Sequence, residues 1–200
     1  MTMARDLFIV AVEPQPERSV GQGDLSLCLA GAELIDLLRL QAVALDGDLI
    51  VPGPPPASED RLLCEAAALV RREPHEPVED WLWRRGRDLS AAYQSALEQD
   101  GQLTHARRGR LPFGATRMEL ADTPARRRAL SHWEADEPVL LALAGALGIR
   151  GGASEEDAAP GGEAVTTVVA AVHDAVRELE AVRQRRSIEN AAFANVWRVP

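Results

Sequence analysis

The sequence predicts a mainly α protein, a compact multi-helix domain with one or two small β-hairpins. Three observations lead there. Apolar residues recur at helical spacing in several separate stretches. Prolines and glycines stand at the starts and ends of those stretches. Strand-type patterning is confined to short runs around tight-turn signals. At 200 residues, with 46% apolar residues, the chain is long enough to bury one substantial core and is expected to form one domain over 1–200.

Taken in order, the run DLFIVAV over 6–12 is too short for its periodicity to choose between a strand and a buried helical turn. Glu13 to Gly23 reads as a polar loop with two prolines. Leu25 to Leu40 is predicted helical: Leu27, Ala30, Leu34, Leu37 and Leu38 share one stripe, and Asp24 is placed to cap the start. QAVALDGDLIV then carries a hairpin signal, with Asp46-Gly47 suited to a type I′ turn. Pro52 to Pro56 is a stiff connector, after which Ser58-Glu59-Asp60 opens a helix over Arg61 to Arg72, closed by Pro74.

Pro77 is expected to start a helix through Trp81 and Trp83. Asp88 to Gln99 follows, ended by Gly101 as a left-handed cap. Gln102 to Glu119 has the pattern of a second hairpin, and Asp122-Thr123-Pro124 caps a helix from Ala125 to Trp133. Glu137 to Leu147, apolar nearly throughout, is predicted to be a central core helix. Residues 148–162 are expected to form a flexible acidic loop inside the domain. A long last helix runs from Ala164 to Asn195, with Val165, Val168, Val169, Val172, Val176, Leu179 and Val182 at helical spacing.

The formal net charge of −9 argues against a general nucleic-acid binder. All basic residues are arginine, and they are unevenly spread. Between Arg84 and Arg128 lie ten arginines and five acids, a segment of about +5 that leaves about −14 for the rest. An acidic body with one basic region suggests one anion-facing surface. The order helix, helix, basic-tipped hairpin is also that of a winged-helix DNA reader, but the stretch from Asp88 to Glu98 offers no basic side chain to a groove, and nucleic acid is not an expected partner. Cys28 and Cys64 sit in apolar helical stretches and are expected to be free thiols in a reducing cytoplasm. The run Leu7 to Val12 is too short to span a membrane.

Catalytic patterns are missing from the sequence. There is no GxSxG, phosphate-binding glycine loop or dinucleotide fingerprint, and His75, His105, His132 and His173 stand apart from any second ligand at metal spacing. Glu33 and Asp36, three apart, read as the solvated edge of an amphipathic helix; as an alternative they join His173 in an enzyme site. The expectation is therefore a binding protein rather than an enzyme, with no metal and no cofactor. Arg84 and Arg87, three apart and next to Trp81 and Trp83, point the same way if the helix continues and form the constellation best suited to a phosphate group; the alternative is that Trp81 is core and the arginines are ordinary surface.

Three stretches, LSLCLAGAELIDLLRLQAVALDGDLIV, RLLCEAAALVRREPHEPVEDWLWRRG and SALEQDGQLTHARRGRLPFGATRMELAD, resemble in content and order the Golgi phosphoprotein 3 (GPP34) family, of which this chain looks like a bacterial member. The resemblance implies a mostly helical peripheral protein, which in the eukaryotic members binds phosphatidylinositol 4-phosphate. Carried over by position, one basic headgroup residue falls on Arg87 and its neighbour on Ser90. The family's tryptophan falls near Gly21 and its remaining arginine near Ala30. Arg84 is the candidate substitute for a missing charge, Trp81 is a further headgroup candidate, and Arg107, Arg108, Arg110 and Phe113 are candidate hairpin contacts with an anionic surface. The expected partner is an anionic membrane surface at the cytoplasmic face; the alternative is an acidic protein or a second copy of the chain.

Overall fold

A computed structural model describes residues 2–13, 20–107, 116–149 and 161–196. Among them are eight helices: α1 (Met3–Val12), α2 (Gln22–Arg39), α3 (Arg61–Leu69), α4 (Val78–Arg85), α5 (Leu89–Gln99), α6 (Pro124–Glu134), α7 (Pro138–Ala146) and α8 (Glu163–Val196). Two small antiparallel sheets complete the fold. One is three-stranded, in the order β1 (Val43–Asp46), β2 (Leu49–Pro52), β3 (Glu76–Pro77), and the other pairs β4 (Leu103–Arg107) with β5 (Thr116–Leu120). The mainly α class with small hairpins is the one the sequence predicts.

The run 6–12 is helical. Leu7, Phe8, Ile9 and Val10 are all buried, so the segment is apolar on every side and its periodicity carries no signal. Thr2 caps α1 by accepting from the Arg5 amide at 3.4 Å. A second cap comes from far along the chain: Asp36 accepts the amides of Met3 at 3.1 Å and Ala4 at 3.3 Å.

The centre of the core is α2, not the apolar stretch over α7. It packs against α1, α3, α4, α5, α7 and α8, and Leu25 through Leu37 are buried without a break. The helix begins at Gln22 with Gly21 as its N-cap, one turn earlier than expected; Asp24 lies in its first turn and binds Arg183 instead of capping. Close approach to α8 is possible at Gly31, where a methyl group would fall inside the contact distance of Val172.

In the first hairpin Asp46 pairs with Leu49, so the loop is Gly47-Asp48. Gly47 alone has positive φ (63°), the requirement of a type II′ turn and not of type I′. α3 stops at Leu69, short of Arg72, because Val70 turns extended and the chain then returns to lay Glu76 beside Ile50. Gly101 (φ 67°) follows α5 as the predicted left-handed cap, and Thr123 caps α6 by accepting from the Arg126 amide. The turn of the second hairpin and most of the predicted acidic loop lie outside the described residues.

Candidate functional site

α4 and the turn after it carry the residues that the sequence singled out. Val78, Trp81, Leu82 and Arg85 fall on its inner face at helical spacing, so α4 presses its tryptophan inward. Trp81 is 0% exposed, and its Nε1 donates to the Ala30 carbonyl at 3.2 Å. It fills the core and cannot reach a headgroup. That is the first correction to the expected site.

Arg84 is the second. Its Nε donates to Glu76 Oε2 at 3.0 Å, its Nη2 binds Glu76 Oε1, and the same Nη2 donates to the Leu69 carbonyl at 3.1 Å. The guanidinium also lies 5.2 Å from the centre of the Trp81 ring. Glu76 is buried beneath it, so Arg84 compensates an internal charge. Arg84 and Arg87 do not point the same way, because α4 ends at Arg85 and Gly86–Asp88 form a turn.

Arg85 reaches further in. Its Nε and Nη2 fork onto Glu33 at 2.7 and 2.8 Å, while the Tyr93 hydroxyl donates to Glu33 Oε1 at 3.0 Å. Burial pushes the Glu33 carboxyl upward, and the Arg85 fork and Tyr93 hydroxyl pull it back. Asp36, three residues on, is pushed up to about 7 by burial, against the two α1 amides that favour its charged form. Neither acid is on a solvated edge. A signal for this stood in the sequence: both acids interrupt a helix apolar on all sides, and such a helix is buried.

The proposed trio of Glu33, Asp36 and His173 is not assembled. Glu33 binds Arg85 and Tyr93, Asp36 caps α1, and His173 Nε2 donates to the Ala142 carbonyl at 3.1 Å. His132, read from sequence as isolated, holds Asp6 at 2.9 Å. No group of three potential ligands able to hold a metal occurs among the described residues.

Among the described residues, most arginines of the basic segment are paired with acids. Besides Arg84 and Arg85, Arg126 binds Glu13, Arg127 binds Asp122 at 3.0 Å, and Arg128 lies 3.8 Å from Asp6. Arg87 differs: it is exposed and makes no ion pair with any described residue. Ser90 is buried, and its amide donates to Ser26 Oγ at 3.0 Å. Arg108, Arg110 and Phe113 lie outside the described residues, as does the side chain of Arg107.

Gly21 and Arg87, two positions at which the sequence resemblance led to a headgroup expectation, lie toward one end of the bundle. α2 runs antiparallel to α8, with Gly31 against Val172 and Gly23 against Leu179 and Arg183. α4 delivers Gly86 against Ser26 and Leu27, and Arg87 follows it to the surface. Beside them a cleft of about 540 Å³ opens between the start of α2, the end of α7 and α8, lined by Gly21, Asp24, Leu147, Gly148, Arg177 and Gln184. Asp24 is bound by Arg183 at 2.7 Å, and a side chain at position 21 would have to displace that carboxylate. Ala30 is fully buried and presents nothing to solvent.

The fold and this end of it define a class: an α-helical bundle around one buried helix, with internal ion pairs and an exposed arginine at the α4–α5 turn. The family model of Golgi phosphoprotein 3 (GPP34) matches residues 3–184, and the chain belongs to that family. No curated protein matches it. Among the described residues no helix is long and apolar enough to cross a membrane.

Proposed function

We infer that this GPP34 protein is a non-enzymatic, peripheral binder of anionic phospholipid, phosphoinositide headgroups included, acting at the cytoplasmic membrane face. The observation that supports the reading is Arg87. Within the described part of the basic segment it is the arginine left exposed without an acidic partner, and the sequence resemblance to the family implies a headgroup role at that position. Arg87 follows Gly86, which packs against Ser26 and Leu27 of α2, so the turn that displays it is held in place by the core helix.

The reading is narrower than an arginine-rich face. Each free arginine near an anionic membrane contributes about 1 kcal/mol. Arg84 and Arg85 are committed inside the fold, so binding is weak, reversible and sensitive to salt. Co-sedimentation tests it, using neutral vesicles, vesicles with phosphatidylserine and vesicles with phosphatidylinositol 4-phosphate. Binding to the anionic kinds, lost in Arg87→Glu and in high salt, is the expected result. If the protein stays in the supernatant with every vesicle at low salt, the reading fails.

A further inference from the structure

The last helix is longer than its packing requires. Its buried positions, Val165, Val168, Val172 and Ala175, lie in the first half, and contact with α2 ends near Leu179 and Arg183. Residues 184–190 are all exposed, and the helix continues to Val196. At 1.5 Å per residue, the stretch from 184 to 196 is about 20 Å of helix beyond the start of α2.

The stretch combines exposed charge with an exposed apolar side chain. Ile188 is 69% exposed, the most exposed large apolar side chain of the described residues. Arg185 stands one turn before it on the same side of the helix, Arg186 lies on the far side, and neither makes an ion pair with any described residue. From 184 to 200 the sequence holds Arg185, Arg186 and Arg198 against Glu189, a local +2 in a chain of −9. A net acidic protein is repelled by an anionic bilayer unless it presents its positive end. Because α4 and α8 both run toward the start of α2, this end is also the end that displays Arg87.

We propose that the exposed turn of α8 around Arg185 and Ile188 is a second membrane contact, lying on the anionic lipid surface with Arg185 at the phosphates, Ile188 in the interface and Arg186 adding charge from the far side of the helix. It rests on the anionic-surface reading of Arg87 and adds a separate anchor to it. The contact is charge-reading and indifferent to headgroup identity, whereas the Arg87 end is where a headgroup would be selected.

The test is co-sedimentation with phosphatidylcholine vesicles containing phosphatidylserine, comparing the parent, Arg185→Gln/Arg186→Gln, Ile188→Gln and Arg87→Glu. One arginine at the surface and a second on the far side of the helix, at up to about 1 kcal/mol each, predict roughly fivefold to thirtyfold weaker partitioning for the double variant. The positions are exposed, so thermal unfolding of these variants should match the parent. A nitrobenzoxadiazole label on Ser187→Cys, in a Cys64→Ser background, should shift its emission to the blue on adding these vesicles and not on adding neutral ones. Parent-like binding by the double variant, with loss in Arg87→Glu, overturns the α8 contact and leaves the Arg87 reading standing. No binding by the parent overturns both. An unshifted label while the protein pellets overturns the α8 contact alone.

Discussion

Arg85 and Glu33 form a bidentate ion pair inside the core, with both nitrogen–oxygen distances below 2.9 Å and Glu33 fully buried. The pair ties α4 to α2, and Tyr93 brings α5 to the same carboxylate. Removing one partner of such a pair strands a charge in a medium that cannot solvate it. Arg85→Met should therefore cost about 3 to 5 kcal/mol in urea unfolding. Adding Glu33→Gln, which keeps an acceptor for Tyr93 but carries no charge, should recover much of that loss. A double variant no more stable than Arg85→Met would show that packing of the guanidinium, and not its charge, is what matters.

Asp36 gives the protein an unusual pH dependence. Its folded pKa, about 7, is raised above the ordinary value of 3.8. The folded state therefore holds a proton that the unfolded chain releases, and the contribution to stability is full below about 4 and lost as pH rises through 7. Integrated over that window the effect is at most on the order of 4 kcal/mol. Burial raises Asp6 and Glu33 in the same direction. Thermal unfolding should thus show greater stability at pH 5 than at pH 8, and Asp36→Asn should flatten the difference. A stability that climbs steadily from pH 5 to pH 8 in the parent would contradict the assignment.

Much of this architecture is legible in the chain itself, and the boundary of legibility is physical. Local chemistry speaks plainly: Asp60 and Thr123 cap helices, Gly101 takes the left-handed position, and Asp46-Gly47 marks a hairpin. What local chemistry cannot reveal is the partner of a charge. Arg84 and Arg87 look alike in sequence, yet one folds back onto Glu76, eight residues earlier, and the other is left outside. The same holds for Asp36, whose role as an α1 cap depends on residues more than thirty positions away. Arginine density in a segment reports free charge only if the acids elsewhere in the chain stay away, and here they do not.

The contact at Gly31 sets the spacing of α2 and α8. A methyl group there would collide with Val172, a β-branched side chain with little freedom to turn aside. Alanine would ordinarily gain up to about 1 kcal/mol in a helix interior over glycine. Overpacking costs about 1–3 kcal/mol, so Gly31→Ala should be destabilising on balance. Val172→Ala, which alone leaves a cavity, should partly rescue it when the two are combined. Additive losses in the double variant would mean that the helices are not held apart by this contact.

Trp81 and Arg87 should separate stability from binding, although both belong to the segment that first suggested a phosphate site. Trp81 is sealed in the core with its indole nitrogen satisfied by Ala30, so Trp81→Ala should cost about 3–5 kcal/mol. Trp81→Phe keeps much of the apolar volume and removes the indole donor, while the Ala30 carbonyl retains its bond within α2; the variant should lose stability through the lost volume and the lost bond but bind anionic vesicles as the parent does wherever it is folded. Arg87→Glu should do the reverse. Its side chain is exposed and unpaired, so unfolding should move by less than about 0.5 kcal/mol. Replacing a positive charge with a negative one at the membrane should weaken vesicle binding by about 2 kcal/mol, roughly thirtyfold. Measuring both variants by thermal unfolding and by co-sedimentation gives four readings. Loss of vesicle binding by folded Trp81→Phe would return the tryptophan to the site, and the position of α4 in the core would then have to be redrawn.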